Sequence, residues 1–228
     1  MNKTKLGIVI AAGGSGSRFS KKVNKLLVEY KNKPLLIHSL ETFLPVAPDN
    51  LAVAAPADLL TEMRSLVDDF LPGNKIKWTP GGATRLASVA KAAQLLAEDT
   101  HLIAIHDAAR PLADRQLLNE LCNAAQEYSG AIPGVAPVDT VKEVDENGII
   151  VKNLIRKQLA LVATPQVFDY LLYMKALEML PEAVRTGFCE DPVLTDDAAL
   201  FTAAGNRVKV VYHSGNNFKV TLACDIDN

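Results

Sequence analysis

Leu6-Gly7-Ile8-Val9-Ile10-Ala11 runs without a polar break into Ala12-Gly13-Gly14-Ser15-Gly16-Ser17-Arg18, and the reading of this junction decides the fold. An unbroken apolar run of this length, rich in β-branched residues, reads as a strand covered on both faces, the habit of a parallel sheet between helices. Glycines placed directly after it let the backbone approach a ligand closely and turn its amides toward anionic oxygens. In open α/β sheets, the crevice beyond the strands' carboxyl ends is where ligands bind.

The rhythm set by that strand continues outward. Lys33 to Leu44 places Leu36, Leu40 and Phe43 at helical spacing, and Leu51 to Ala55 forms a second apolar strand. A helix is predicted near Asp58–Phe70, a short strand at Lys75–Trp78 and a well-patterned helix at Arg85–Leu96. His101–His106 is a fourth strand, Asp114–Tyr128 a helix and Gly130–Val135 another strand. Strands alternating with helices across short connections predict a mostly parallel, twisted α/β sheet with helices on both faces, in a single domain spanning residues 1–228. One segment breaks the pattern. From Pro137 to Thr164 the chain has period-two character and an Asn147-Gly148 pair, a strong hairpin signal. A hairpin inserted into such a domain leaves edges that must be covered. The segment at about 137–163 is therefore read as a β-arm for pairing with a second copy of the chain, against the plainer reading of a meander packed on its own domain.

Composition narrows the function classes. The 228 residues carry 24 Lys and Arg against 26 Asp and Glu, a formal net charge of -2, so a protein that coats nucleic acid with a cationic face is excluded. A single small phosphate ligand needs only a few well-placed cations and stays open. Three cysteines without a C-x-x-C support neither a disulfide framework nor a zinc knuckle, and the four histidines offer no i, i+4 pair for a metal. No apolar run approaches the ~20 residues needed to cross a bilayer. The start MNKTKLGIVIAAGG imitates a signal peptide, yet its apolar stretch is short and enters a glycine loop. A cytoplasmic location is expected.

Three loops at successive strand ends carry chemistry. The first, Ala11 to Arg18, lacks the Gly-Lys-Ser/Thr of a P-loop and does not give G-x-G-x-x-G, which weakens the case for a nicotinamide-dependent oxidoreductase. Arg18, Lys21, Lys22 and Lys25 around it suit a triphosphate better than a pyrophosphate diester. The second, Gly81-Gly82-Ala83-Thr84-Arg85-Leu86-Ala87-Ser88-Val89, sets Arg85 and Ser88 three apart on a first helical turn, so both would face one ligand. The third, His106-Asp107-Ala108-Ala109-Arg110-Pro111, sets an acid and a base where a metal–phosphate complex could sit. His106 reads as a structural histidine, Trp78 as core or rim, and Asp196-Asp197 as the start of a helix.

These loops, with Pro137-Val138-Asp139-Thr140, Thr164-Pro165-Gln166, Thr195-Asp196-Asp197-Ala198 and Lys219-Val220-Thr221, resemble the 2-C-methyl-D-erythritol 4-phosphate cytidylyltransferases of isoprenoid biosynthesis from Leu6 to Thr221. The ribitol-5-phosphate cytidylyltransferases are a close relative and an alternative. The resemblance implies a Rossmann-like nucleotidyltransferase domain joining CTP to a polyol phosphate with Mg²⁺ and release of pyrophosphate, in a homodimer clasped by the arm. It implies that Arg18 and Lys25 stabilise the pentacoordinate α-phosphate and that Lys219 contacts it or orients the incoming phosphate. Ala11, Ala12, Gly13, Gly82, Arg85 and Ser88 would hold CTP. Asp107, Arg110, Thr140, Arg156 and Thr164 would hold the sugar phosphate, Thr140 and Arg156 in the partner's site, with Asp107 also a metal ligand. Asn24 and Leu26 stand where the family has Pro and Gln around the loop lysine, which predicts a looser Lys25 and leaves room for a nucleotide-binding protein without catalysis. The family also continues past the Lys219 motif into a C-terminal helix, so a cover over the fold is expected to be absent or to lie in an extension.

Overall fold

A computed structural model describes residues 4–13, 19, 24–213 and 216–226. In chain order the elements are β1 (Leu6–Ala11), β2 (Glu29–Tyr30), β3 (Lys33–Pro34), α1 (Leu35–Phe43), β4 (Leu51–Ala55), α2 (Leu60–Phe70) and β5 (Lys77–Pro80). There follow α3 (Arg85–Ala93), β6 (Leu102–Asp107), α4 (Arg115–Tyr128), β7 (Gly130–Val135), β8 (Lys142–Val144), β9 (Ile150–Asn153), β10 (Leu161–Val162) and β11 (Gln166–Asp169). The chain ends with α5 (Tyr170–Met179), α6 (Glu182–Thr186), α7 (Asp197–Ala203) and β12 (Lys209–Tyr212).

β1 lies at the centre of an eight-stranded sheet, between β4 and β6 and parallel to both. β5 extends the sheet beyond β4, while β11 enters antiparallel between β6 and β7. β12 runs parallel to β7 along its other edge, and β10 pairs with β7 beside β11. The mostly parallel, doubly covered sheet is the architecture expected from the alternating pattern. Its first strand shows why. Ile8 and Ile10 enter the layer with Leu36, Leu40, Met63, Val67 and Leu121, whereas Val9 enters the layer with Val89, Ala93, Tyr173 and Phe201. A strand that must satisfy two cores has no polar face to show.

Element boundaries moved where polar side chains took backbone partners. The strand expected at Lys75–Trp78 sits at Lys77–Pro80, because Asn74 Oδ1 accepts the Ile76 amide at 3.1 Å and holds that stretch as a turn. Thr84 and Asp114 cap α3 and α4 by accepting the amides of Ala87 (3.1 Å) and Leu117 (2.8 Å), each worth about 1 kcal/mol to its helix.

The arm is narrower than 137–163. β8 and β9 form a separate two-stranded ribbon with every residue exposed, but β10 belongs to the main sheet. Its turn is wider than an Asn-Gly pair alone would make. Asp145 accepts the amides of Asn147 (3.0 Å) and Ile149 (2.8 Å), and Gly148 takes the positive φ of 79°. Val144, Ile149, Ile150, Val151 and Ile155 are all exposed along this projection. Among the described residues, no helix is long and apolar enough to cross a membrane.

Candidate active site

Four strands, β1, β4, β5 and β6, end side by side, and their carboxyl-end loops are laced together by main-chain bonds. Ala12 N donates to Ala54 O (2.9 Å), Gly81 N to Ala55 O (2.7 Å) and Ala108 N to Ala11 O (3.1 Å). The glycines allow this approach. A Cβ on Gly13 would meet Ser88 Oγ at 3.1 Å, and one on Gly82 would lie 2.5 Å from Ala87 Cβ. Ser88 is buried and serves the loop: its hydroxyl accepts from Gly82 N (3.0 Å) and donates to Thr84 O (2.8 Å). It shapes the cradle made by Ala11, Ala12, Gly13 and Gly82, rather than pointing its donor outward as the helix spacing predicts.

Asp107 ends β6 and is the focus of charge. Its Oδ1 accepts Arg85 Nε at 2.9 Å, its Oδ2 accepts Lys219 Nζ at 2.8 Å, and Arg110 Nε stands 3.6 Å from Oδ2. Burial alone would raise the Asp107 pKa, but the charges of Arg85 and Lys219 outweigh it and hold the carboxyl well below the usual carboxylate range. It stays ionised at any working pH. Arg85 departs from expectation. Rather than facing the nucleotide with Ser88, its guanidinium spans two carboxylates, with Nη1 on Asp197 Oδ2 at 2.6 Å. Those two anions outweigh the effect of burial and raise its pKa above the ordinary value.

Thr164 and Arg110 meet at a buried relay through His106. Arg110 O can only accept, so His106 Nε2, at 3.1 Å from it, carries the proton. Nδ1 is then the acceptor for the Thr164 hydroxyl at 3.1 Å, while Thr164 Oγ1 accepts the Asp107 amide at 3.0 Å. The hydroxyl proton of Thr164 is thus spent on His106, and Thr164 fixes the β6 end that carries Asp107. Complete burial pushes the His106 pKa down to about 4, so the ring stays neutral and structural as its place in the sequence suggests.

The segment 216–221 closes the site. Val220 N donates to Ala109 O (2.9 Å), Arg110 Nη1 to Asn217 O (2.8 Å), and Asn217 Nδ2 to Thr164 O (2.8 Å). Lys25 Nζ donates to Val220 O at 2.9 Å, which sets Lys25 and Lys219 on consecutive residues of one segment. Lys25 itself sits in a capped turn despite the departure from Pro: Asn24 Oδ1 accepts the Leu26 amide at 3.0 Å, capping the Lys25–Leu27 turn, and Leu26 is buried. Arg18 lies outside the described residues. Thr140 and Arg156 sit on the arm, where Arg156 Nη1 donates to Val138 O at 2.8 Å. Among the described residues, no hydrogen bond or ion pair joins either to Asp107.

Sequence reading missed Asn217, Tyr173 and the role of Asp197. Asp196 does cap α7, accepting Ala199 N at 2.8 Å, as a helix start would. Nothing in the spacing shows that the neighbouring Asp197 turns inward to Arg85, a residue 112 positions away.

A metal finds little purchase on these side chains. Both oxygens of Asp107 already accept cationic donors, and among the described residues no three His, Cys, Asp or Glu side chains gather to hold an ion. The expectation of Asp107 as a metal ligand therefore fails on its surroundings: three cations ring the group that would have to bind a fourth.

A family model described as 2-C-methyl-D-erythritol 4-phosphate cytidylyltransferase matches residues 6–228. Among curated proteins of that same description, one from Caldanaerobacter subterraneus subsp. tengcongensis is 31% identical over 220 residues, covering 96% of this chain and 94% of its own. Another, from Desulforamulus reducens, is 33% identical over 220 residues, covering 96% and 91%. Among solved structures, the cytidylyltransferase of Thermus thermophilus superposes with a TM-score of 0.75 at 27% identity, covering 98% of this chain and 96% of that one. The 4-diphosphocytidyl-2C-methyl-D-erythritol synthase of Anaerococcus prevotii shares the fold with a TM-score of 0.81 at 24% identity, covering 98% and 95%.

Proposed function

Since the chain belongs to the 2-C-methyl-D-erythritol 4-phosphate cytidylyltransferase family, we propose that its catalysis rests on fixed cations gathered where segment 216–221 crosses the strand ends. The activity is transfer of the cytidylyl group of CTP to 2-C-methyl-D-erythritol 4-phosphate in the non-mevalonate route to isoprenoids. The matching descriptions name methylerythritol phosphate as the acceptor, which favours it over the ribitol phosphate alternative.

A phosphate oxygen of the acceptor attacks the α-phosphorus of CTP. The new P–O bond forms as the bond to the β-phosphate breaks, and pyrophosphate carries away the electron pair. Two anions must meet, so positioning and charge neutralisation do most of the work, and no protein nucleophile is called for. The acceptor phosphate, largely a dianion near neutral pH, needs no general base. The observation that carries this reading is the pairing of Lys25 with Val220 O beside Lys219 on Asp107. It fixes two ammonium groups on one short segment above the glycine cradle. In this reading, Lys25 and Lys219 neutralise the α-phosphate and the entering phosphate, and Arg18 joins them. Asp107 accepts acceptor hydroxyls on its remaining lone pairs, and Arg110 faces the acceptor phosphate. The cradle of Ala11 to Gly13 and Gly82 gives its amides to the nucleotide.

Magnesium belongs to this proposal only through the nucleotide. Mg²⁺ keeps water and phosphate oxygens as ligands in preference to protein cages, and when bound it would lower the charge of the triphosphate. For the arm, we propose docking on a second copy: an isolated two-stranded ribbon is marginal in water, and its exposed Val144, Ile150 and Val151 call for a cover. Thr140 and Arg156 would then serve the partner's site. A cytoplasmic setting completes the proposal.

The test is CTP-dependent pyrophosphate release with the methylerythritol phosphate acceptor, comparing wild type with the Arg18→Gln/Lys25→Gln double variant. A loss of at least about 10²–10³ in turnover is expected. Undiminished turnover would refute the cationic mechanism.

A further inference from the structure

Behind Asp107 lies an ionic chain whose far end is buried. Arg85 Nε holds Asp107 Oδ1 at 2.9 Å, Arg85 Nη1 holds Asp197 Oδ2 at 2.6 Å, and Tyr173 Oη donates to Asp197 Oδ1 at 2.7 Å. Asp197 and Tyr173 are wholly buried. The far end is rigid. Gln166 of β11 donates to Asp196 Oδ2 (2.8 Å) and accepts Ala198 N (3.0 Å), pinning the first turn of α7. Tyr173 stacks on Phe168 with ring centroids 5.6 Å apart. A buried carboxylate is costly unless it is paired and hydrogen-bonded, and Asp197 meets that condition through Arg85 and Tyr173.

We propose that Asp197 is a positioning residue for the acceptor polyol phosphate, acting through Arg85 on Asp107. This rests on the reading that Asp107 binds acceptor hydroxyls. The physical step is restraint of one guanidinium. Arg presents a planar fork that closes readily onto both oxygens of a single carboxylate. Asp197 holds Nη1 and so restrains the guanidinium plane, in which Arg85 reaches Asp107 through Nε on Oδ1. Oδ2 is left to Lys219, and lone pairs on both oxygens stay open to hydroxyls. Without the charge of Asp197, Arg85 is free to swing onto Asp107 as a two-toothed clamp, displace Lys219 and mask the acceptor's anchor. The nucleotide cradle is held by main-chain bonds and by Ser88, and the side-chain bonds of Arg85 run to Asp107 and Asp197 instead.

The experiment compares wild type, Asp197→Asn, Asp107→Asn and the double variant, reading acceptor KM and kcat by pyrophosphate release and CTP affinity by calorimetry. Asp197→Asn is isosteric and keeps a partner for Tyr173. It should raise the acceptor KM about 10–100-fold, with CTP affinity held within about twofold. In the double variant it should add nothing to the loss seen with Asp107→Asn, since its effect passes through that carboxylate. Additive losses, or a parallel fall in CTP affinity, would overturn the proposal, as would an unchanged acceptor KM in Asp197→Asn while Asp107→Asn is impaired. An unchanged acceptor KM in Asp107→Asn would instead remove the underlying reading, and this inference with it. Should Asp197→Asn fail to fold, Tyr173→Phe removes one hydrogen bond from Asp197 and keeps its charge. It should shift the acceptor KM alone by about threefold, and no shift would count against the proposal.

Discussion

Acidification should destabilise this protein chiefly through one ring. In the fold His106 is neutral, with its pKa pushed by burial from the ordinary 6.5 down to about 4. In the unfolded chain the ring returns to the ordinary value. Between those two values the unfolded state holds the extra proton, so stability falls as pH drops below 6.5 and the loss levels off below about 4. At pH 7 the coupling is close to nil, while at pH 5 it amounts to about 2 kcal/mol. For a chain of this size that is roughly 4–8 °C in Tm. Asp107 adds no slope in this window. Its pKa is depressed in the fold, so its contribution is fully present above the ordinary carboxylate value and is lost only at pH below it. The assay is urea denaturation at pH 7 and pH 5 for wild type and for His106→Gln, which can still donate to Arg110 O and cannot titrate. The variant will be less stable at pH 7, having lost the Thr164 acceptor. Its change between the two pH values should nonetheless be smaller than that of wild type by about 2 kcal/mol. Equal changes would refute a neutral, buried His106.

Other outcomes follow from the same geometry. Gly82→Ala puts a methyl 2.5 Å from Ala87 Cβ, so stability should fall by about 1–3 kcal/mol and CTP should bind more weakly; unchanged denaturation and titration curves would reject the close-approach account. Lys219→Gln should lower kcat about 10²–10³-fold in the pyrophosphate assay while the protein still melts cooperatively, and a change confined to KM would move Lys219 from transfer to binding. Ile150→Asp, on an exposed arm strand, should lower the sedimentation coefficient of a dimer to that of the monomer without lowering Tm; an unchanged coefficient would count against docking through the arm.

The fold was legible because its signal is local. β1, with Ile8 and Ile10 facing one core and Val9 the other, announces a two-sided sheet in six residues, and each following strand repeats the statement. The positions of Gly82 and Asp107 were also legible, since a glycine at a close approach and a charge at a strand's end carry their reasons beside them, whereas Lys219 was reached only through the family resemblance. Arg85 was misread for the complementary reason. Its helix spacing with Ser88 shows which face it occupies but not which partner waits there. Asp197, at the start of a helix more than a hundred residues later, was the deciding neighbour. Asn217, and the bonds of Thr164 to β6, escaped notice for the same cause, each being made to groups brought in from distant segments. The Asn24 cap shows the converse: a departure from the family's Pro looked like a loss of stiffness until the side chain was seen to replace a ring with a hydrogen bond.

The arrangement of charge argues for a division of labour that a plain count would miss. Asp107 accepts from two cations and stands within ion-pair reach of a third, more than neutralisation of one carboxylate requires, and the surplus is positive. If Asp107 served only to fold the site, Lys219 would be its counter-ion and would be unavailable to a phosphate. Because Arg85 already satisfies one oxygen and is itself held by Asp197, the Lys219 bond can be exchanged for a phosphate oxygen while Asp107 keeps a charged partner. A site that must receive two anions needs cations that can change partners without leaving a buried charge bare, and the second carboxylate behind Arg85 meets that need.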